Sequence, residues 1–257
     1  MLVSIITPSY NQGAFIEGTI QSVLNQSYPH IEYLIVDALS TDATAQVLDR
    51  YEGHPGVSLI IREKDRGQAD AIAKGFRRAR GEIVGWINSD DLLAPDAVEK
   101  SVALFQANER VGLTYGDLVF FGADGVPESI RKPHPFLTRE YLLNTDYDVS
   151  QPGSFYRASV VKGAGGLNPG LNYCMDLDLW LGILKTHQAG YLGSTAARYR
   201  LHDSTKTANG GLAFLREIYR TLVHHGARFL PVTKLRIFWY GAKVVVKRIV
   251  YGGRPCK

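Results

Sequence analysis

The sequence predicts an α/β fold, a mostly parallel sheet covered by helices on both faces. In the first half, short continuous apolar runs alternate with segments of helical period, joined by short connections. Clusters of polar residues also fall just past the ends of those apolar runs. That is where ligands bind in open parallel sheets.

Val3 to Thr7 is an apolar run ending at Pro8 and reads as a buried strand. Phe15 to Asn25 carries Ile16, Ile20, Val23 and Leu24 at helical spacing. Tyr33 to Val36 is a second strand, ending at Asp37, after which Ser40 or Thr41 can cap a helix through about Tyr51. Val57 to Ile61 is a third strand, and Ala69 to Ala79 is a helix closed by Gly81. Ile83 to Ile87 is a fourth strand, stopping at Asn88-Ser89-Asp90-Asp91, and Pro95 sits early in a helix reaching about Asn108. After Val111 glycines and prolines punctuate the chain, with short strands such as Leu118 to Phe121. Asp176 to Leu184 reads as a helix and Tyr191 to Leu201 as strand-like.

The 257 residues are 45% hydrophobic and 21% charged, enough for a sizeable core. Two cysteines, Cys174 and Cys256, imply neither a disulfide framework nor a thiolate metal site, and a reducing, cytoplasmic setting is expected. Met1 leads straight into the first strand with no secretory pattern, and no apolar run of about eighteen residues spans a membrane. The net charge of +4 is uneven: Leu215 to Lys257 holds ten Lys or Arg and one acid, Glu217.

Four constellations can carry chemistry. Asp90 and Asp91 sit together at a strand end, where repulsion is relieved by a hard cation or by exposure. The plainer reading is a solvated turn with Asp91 or Asp96 capping the next helix. Asp37, followed by Ser40-Thr41-Asp42, can accept from a base or ribose, or serve turn and capping chemistry alone. Asp176 and Asp178 do not share a helix face, so one, Asp176, can enter a cleft as a general base while the other caps or is solvated; helix capping alone is the plainer reading. Arg200 and His202 suit a pyrophosphate and its metal, or belong to a polar surface loop. No Gly-rich phosphate loop follows the first strand, which argues against nicotinamide enzymes and P-loop kinases. No serine nucleophile elbow or zinc spacing is present either.

These pieces, in this order, resemble glycosyltransferase family 2, whose members have the glycosyltransferase-A fold. The resemblance runs from Val3 to about Lys206. It rests on Val3-Ser4-Ile5-Ile6-Thr7-Pro8-Ser9-Tyr10-Asn11, Ser22 to Pro29, Glu32 to Asp37, Ser40-Thr41-Asp42, Asp65-Arg66-Gly67-Gln68, Gly85 to Asp91 and Asp176 to Leu181. It implies an inverting enzyme that transfers a sugar from a nucleotide-diphosphate donor, UDP favoured, with a divalent metal, Mn²⁺ or Mg²⁺. Residues 1–208 would be the catalytic domain, with a nucleotide-binding half over 1–115 and an acceptor half over 116–208. Thr7, Pro8, Ser9, Tyr10 and Asp37 would line the nucleotide pocket, with Gln68, Asp70, Asn88, Ser89 and Arg200 contributing to donor binding. Asp90 and His202 would hold the metal, Asp91 would sit near metal or sugar, and Asp176 would be the base. Asn88 stands where many relatives have Asp. Ala38-Leu39 stands where many have glycine; a positive φ would be strained there, so a different loop path is expected.

Residues 209–257 are expected to form a basic, amphipathic helical extension. It would lie on an anionic membrane surface or pack on the domain. A membrane role suits a lipid-linked glycan acceptor, as the resemblance implies for bacterial surface polysaccharides. No motif points to nucleic acid. The alternatives are a family-like scaffold that has lost catalysis, and a nucleotidyltransferase, which would need a basic Gly-rich loop that Asn11-Gln12-Gly13-Ala14 does not supply.

Overall fold

The computed structural model describes residues 1–122, 125–202, 206, 210–228 and 237–240. Its first half alternates strand and helix: β1 (Val3–Ser9), α1 (Ile16–Leu24), β2 (Ile31–Asp37), α2 (Thr44–Asp49), β3 (Leu59–Arg62), α3 (Gln68–Arg78) and β4 (Ile83–Trp86). A short β5 (Leu92–Leu93) and α4 (Ala97–Ala107) follow. The second half holds β6 (Val111–Phe121), β7 (Pro127–Arg131), α5 (Arg139–Asn144), β8 (Phe155–Arg157), α6 (Ala158–Gly163), α7 (Met175–Ile183), β9 (Gln188–Arg200) and α8 (Gly211–His224).

The strands form one sheet in the order β3-β2-β1-β4-β8-β6-β9-β5, with β7 paired to β6. Strands β1 to β4 are mutually parallel, as the βαβ pattern predicts. Beyond β4 the sheet turns mixed, because β8 runs antiparallel to both β4 and β6 while β9 pairs parallel with β6. The strand expected at Leu118 to Phe121 is the end of the much longer β6. Pro95 precedes α4 instead of lying inside it.

Each central strand is apolar on both sides because each feeds two cores. On β1, Val3 and Ile5 point into one and Ile6 into the other. Helix α8 is built into the second of these, where Leu215, Ile218 and Leu222 pack in the cluster containing Leu177 and Trp180 of α7. Beyond residue 228, the amphipathic extension expected as far as 257 lies outside the described residues except at 237–240, where Phe238 and Trp239 are exposed and Ile237 is buried. Among the described residues no helix is long and apolar enough to cross a membrane.

Candidate functional site

Register places the strand ends together: Ser9 stands beside Asp37, and Ile6 beside Trp86. A cavity of about 1350 Å³ opens beyond these ends. Pro8, Ser9, Tyr10, Leu39, Gln68, Asn88, Ser89, Asp90, Asp91 and Asp176, among others, line it.

The two loops on the β1–β2 side are stitched to each other. Asn11 N–H donates to Ser40 Oγ (2.9 Å), and Asn11 Oδ1 accepts from Thr41 N–H (2.8 Å). Asp37 accepts from Ser40 N–H (2.9 Å) and Ser40 Oγ–H (2.5 Å), so both carboxylate oxygens serve a turn. Gly13 closes against α2, where an added Cβ would lie 2.8 Å from Thr44 N. The loop does not avoid positive φ as expected. Leu39 itself sits at φ +60° and presents a half-exposed side chain to the cavity. A left-handed leucine costs about 1–2 kcal/mol, a strain characteristic of ligand clamps. Leu39→Gly is expected to raise thermal stability by up to about 1 kcal/mol, after the unfolded-state entropy of glycine is allowed for. Affinity for the nucleotide that the sequence resemblance implies should fall several-fold as the isobutyl group is lost. Paired melting and nucleotide titration check this, and unchanged affinity would remove Leu39 from the pocket's working wall.

At the end of β4, Asn88 Oδ1 accepts from Gln68 Nε2 (2.7 Å), and Asn88 Nδ2 donates to Asp91 Oδ2 (3.2 Å). Asp91 is 1% exposed and its other oxygen accepts from Arg200 N–H (3.0 Å). Burial and the neighbouring Asp90 carboxylate push its pKa well up. Asp90 is different: its Oδ2 lies 3.0 Å from His202 Nε2, and both side chains keep partial access to solvent. His202 in turn packs on Phe15, with ring centres 5.0 Å apart.

Facing these groups is Asp176, in the first turn of α7. Its Oδ1 accepts from Leu177 N–H (2.8 Å). Burial raises its pKa to about 6; Asp148 adds to the rise and Arg131 opposes it. The two modifiers form an ion pair at 2.9 Å. Below α7, a buried chain runs from Trp180 Nε1–H to Tyr156 Oη (3.0 Å) and Ser154 Oγ (2.6 Å). Asp178, on another face of α7, neither caps the helix nor stands free in solvent as expected: it pairs with His225 (2.7 Å).

Several expected residues stand elsewhere. Thr7 is fully buried against Tyr33 Oη (2.9 Å), and Asp70 is buried between Arg66 and Lys74. Neither lines the cavity, nor does Asp37. Arg200 is also withdrawn: its guanidinium lies 4.9 Å above the Phe15 ring and 4.4 Å above the Phe121 ring, and its Nε donates to the Asp90 carbonyl (3.0 Å). It braces the Asp90 backbone from behind. The cavity wall also contains Trp86, Arg131, Asp148, Gln151, Tyr173 and Lys206, which the sequence did not single out. Gln151 is recognisable only in three dimensions, donating from Nε2 to the Trp86 carbonyl (3.1 Å).

Asp90 and His202 offer one carboxylate oxygen and one imidazole nitrogen. Among the described residues no group of three or more metal-type side chains gathers. A two-residue O,N set fits a borderline divalent ion such as Mn²⁺ whose remaining positions go to phosphate oxygens and water.

The fold defines the class. S. aureus TarS, solved over residues 1–349 with UDP-GlcNAc, matches with a TM-score of 0.70 at 17% identity, over 98% of this chain and 73% of that one. A mannosyltransferase of Pyrobaculum calidifontis, solved with GDP-Man and Mn²⁺, matches at 0.66 and 19%, over 99% and 76%. This is the glycosyltransferase-A architecture. Residues 4–163 match the description of glycosyl transferase family 2, and the chain belongs to that family. Bacillus subtilis TuaG, named for teichuronic acid biosynthesis, is 32% identical over 219 residues, 81% of this chain and 82% of TuaG. Escherichia coli WfgD, named as a glucosyltransferase from UDP-Glc to a GlcNAc-diphosphoundecaprenol, is 28% identical over 214 residues, covering 81% and 80%.

Proposed function

We propose that this protein is an inverting, metal-dependent glycosyltransferase that moves a sugar from a UDP-sugar to a glycan or lipid-linked glycan in bacterial surface polysaccharide assembly. The observation that carries the reading is that one cavity is lined by both Asp90, paired with His202, and Asp176, whose carboxyl is tuned to titrate near 6. UDP is favoured because TarS is solved with UDP-GlcNAc and WfgD is named for UDP-Glc. The acceptor class is supported by WfgD's named substrate and by the basic excess after Leu215, which suits an anionic membrane surface.

Asp176 would take the proton of the attacking hydroxyl, and burial supplies the basicity this requires. The stitched β1 and β2 loops, with Leu39 and Tyr10, would hold the nucleotide. Asp90 and His202 would hold the metal, which offsets charge developing on the departing diphosphate. Asn88, Gln68 and Arg200 keep Asp90 and Asp91 in register. In-line displacement needs no enzyme nucleophile, and the arrangement provides none.

Calorimetric titration of UDP, GDP and dTDP with Mn²⁺, Mg²⁺ or chelator tests the reading. UDP should bind in a metal-dependent way, and release of UDP from a UDP-sugar should follow. No binding by any nucleotide would reject the reading in favour of a catalytically silent scaffold.

A further inference from the structure

We propose that Glu217, on α8, is a positioning residue that sets the helix bearing Asp176. The proposal rests on the reading of Asp176 as the base. Glu217 lies beyond the residues 4–163 that the family description matches.

Three consecutive amides, those of Asn172, Tyr173 and Cys174, converge on the Glu217 carboxylate. Oε1 accepts from all three, at 3.0, 2.5 and 2.8 Å, and Oε2 accepts from Asn172 again at 3.1 Å. Successive amides turned inward form a concavity that binds an anion, and here the anion is a side chain from another helix. The location gives it consequence. Helix α7 starts at Met175, and its N-cap, Cys174, makes no side-chain capping bond. The amides before a helix have no partners inside it, and a negative charge at that end is favourable. Glu217 meets both needs, and the last amide it accepts from, that of Cys174, stands one residue before the helix and two before Asp176.

Helix α8 grips α7 a second time. His225 Nε2 lies 2.7 Å from Asp178 Oδ1, with His225 buried. Arg139 fixes His225 by donating to its carbonyl at 2.5 Å. Asp176 lies between the two grips, at Cys174 and Asp178. Around them, Phe214 packs on Tyr173 with ring centres 5.5 Å apart, and Leu215 and Ile218 line the same cavity as Asp176. The direction in which the carboxylate faces is thus fixed from outside its own helix.

The test is made in the full chain with Glu217→Ala and Glu217→Gln. Glutamine keeps an oxygen that can accept from the three amides, whereas alanine keeps none. Hydrogen exchange by mass spectrometry should show amides 172–174 exchanging at least 10-fold faster in Glu217→Ala, with the β1–β4 peptides unchanged and Glu217→Gln intermediate. The Kd for UDP with Mn²⁺ should stay within about two-fold. Turnover of UDP-glucose or UDP-GlcNAc, followed as UDP release, should lose at least 10-fold in kcat with KM unchanged and be partly restored by Glu217→Gln. Unchanged exchange at 172–174 would overturn the proposal. So would parallel losses in UDP affinity and kcat, which mark a general loss of structure. If Glu217→Ala does not fold, Glu217→Gln carries the same comparison. A wild-type protein that binds no nucleotide would instead defeat the glycosyltransferase reading, while the exchange comparison still reports on the grip.

Discussion

Asp176→Asn is expected to lower sugar transfer by about 10³-fold while leaving UDP binding unchanged. Removing a general base typically costs 10²–10⁴-fold, and Asp148, the nearby carboxylate that adds to the rise in the Asp176 pKa, is itself paired with Arg131. The pH dependence follows from the direction of the shift. The carboxyl must be ionised to accept a proton, so turnover should rise through about pH 6 and then level off. Stability should move the other way. The folded-state pKa lies above the unfolded value, so the folded protein holds this proton more tightly. That contribution is present at low pH and lost as pH rises from about 4 through about 6. At pH 7.5 the ionised, largely buried carboxylate is therefore a cost. The variant should be more stable by roughly 1–2 kcal/mol, a figure reduced from the full shift because the group keeps some solvent access. Melting and turnover measured on the same preparation separate the roles. A mere helix-capping aspartate would lose stability on replacement and keep its rate.

The sequence carried the parallel half of the fold because its information is local. The strands from Val3 to Trp86 are mostly apolar runs, β1 to β3 each followed by a helix, and the polar residues at their ends had one place to go. Asp90, Ser89, Asn88, Pro8, Ser9, Tyr10, Gln68 and Asp176 do line the cavity. What sequence spacing could not supply was direction. Asp90 and Asp91 are neighbours, yet one faces His202 and the other is consumed by Arg200 and Asn88. Arg200 reads as a phosphate ligand, but the long pairing of β6 with β9 stacks it on Phe121 instead. The Ala38-Leu39 departure suggested a rerouted loop, whereas the bonds from Asn11 and Ser40 hold the left-handed turn despite the leucine. Glu217 illustrates the remaining gap: 43 residues separate it from Cys174. An acid in a basic helix gives no sign that its partners are three backbone amides.

Asp90→Ala is expected to raise the Kd for UDP in Mn²⁺ about 100-fold, to the value seen in chelator, which corresponds to about 2.7 kcal/mol. The loss should fall wholly on the metal-dependent part of binding, because the side of the cavity proposed to take base and ribose is lined by Pro8, Ser9, Tyr10, Ala38 and Leu39, whereas Asp90 is engaged with His202. Asp91 cannot take over: Arg200 N–H and Asn88 Nδ2 occupy its oxygens, and its raised pKa favours the protonated form. His202→Ala should give a smaller loss, about 10-fold, since Asp90 would remain as a charged oxygen ligand. Folding should not suffer in the aspartate variant. The Asp90 charge raises the cost of ionising buried Asp91, so its removal relieves a repulsion and the melting temperature should hold or rise. That sign separates a ligand from a scaffold residue, since a structural aspartate would take stability with it and leave the metal dependence of UDP binding intact. Retention of full Mn²⁺ dependence in a stable Asp90→Ala protein would place the metal elsewhere and leave the Asp90–His202 contact as a brace between β4 and β9 alone.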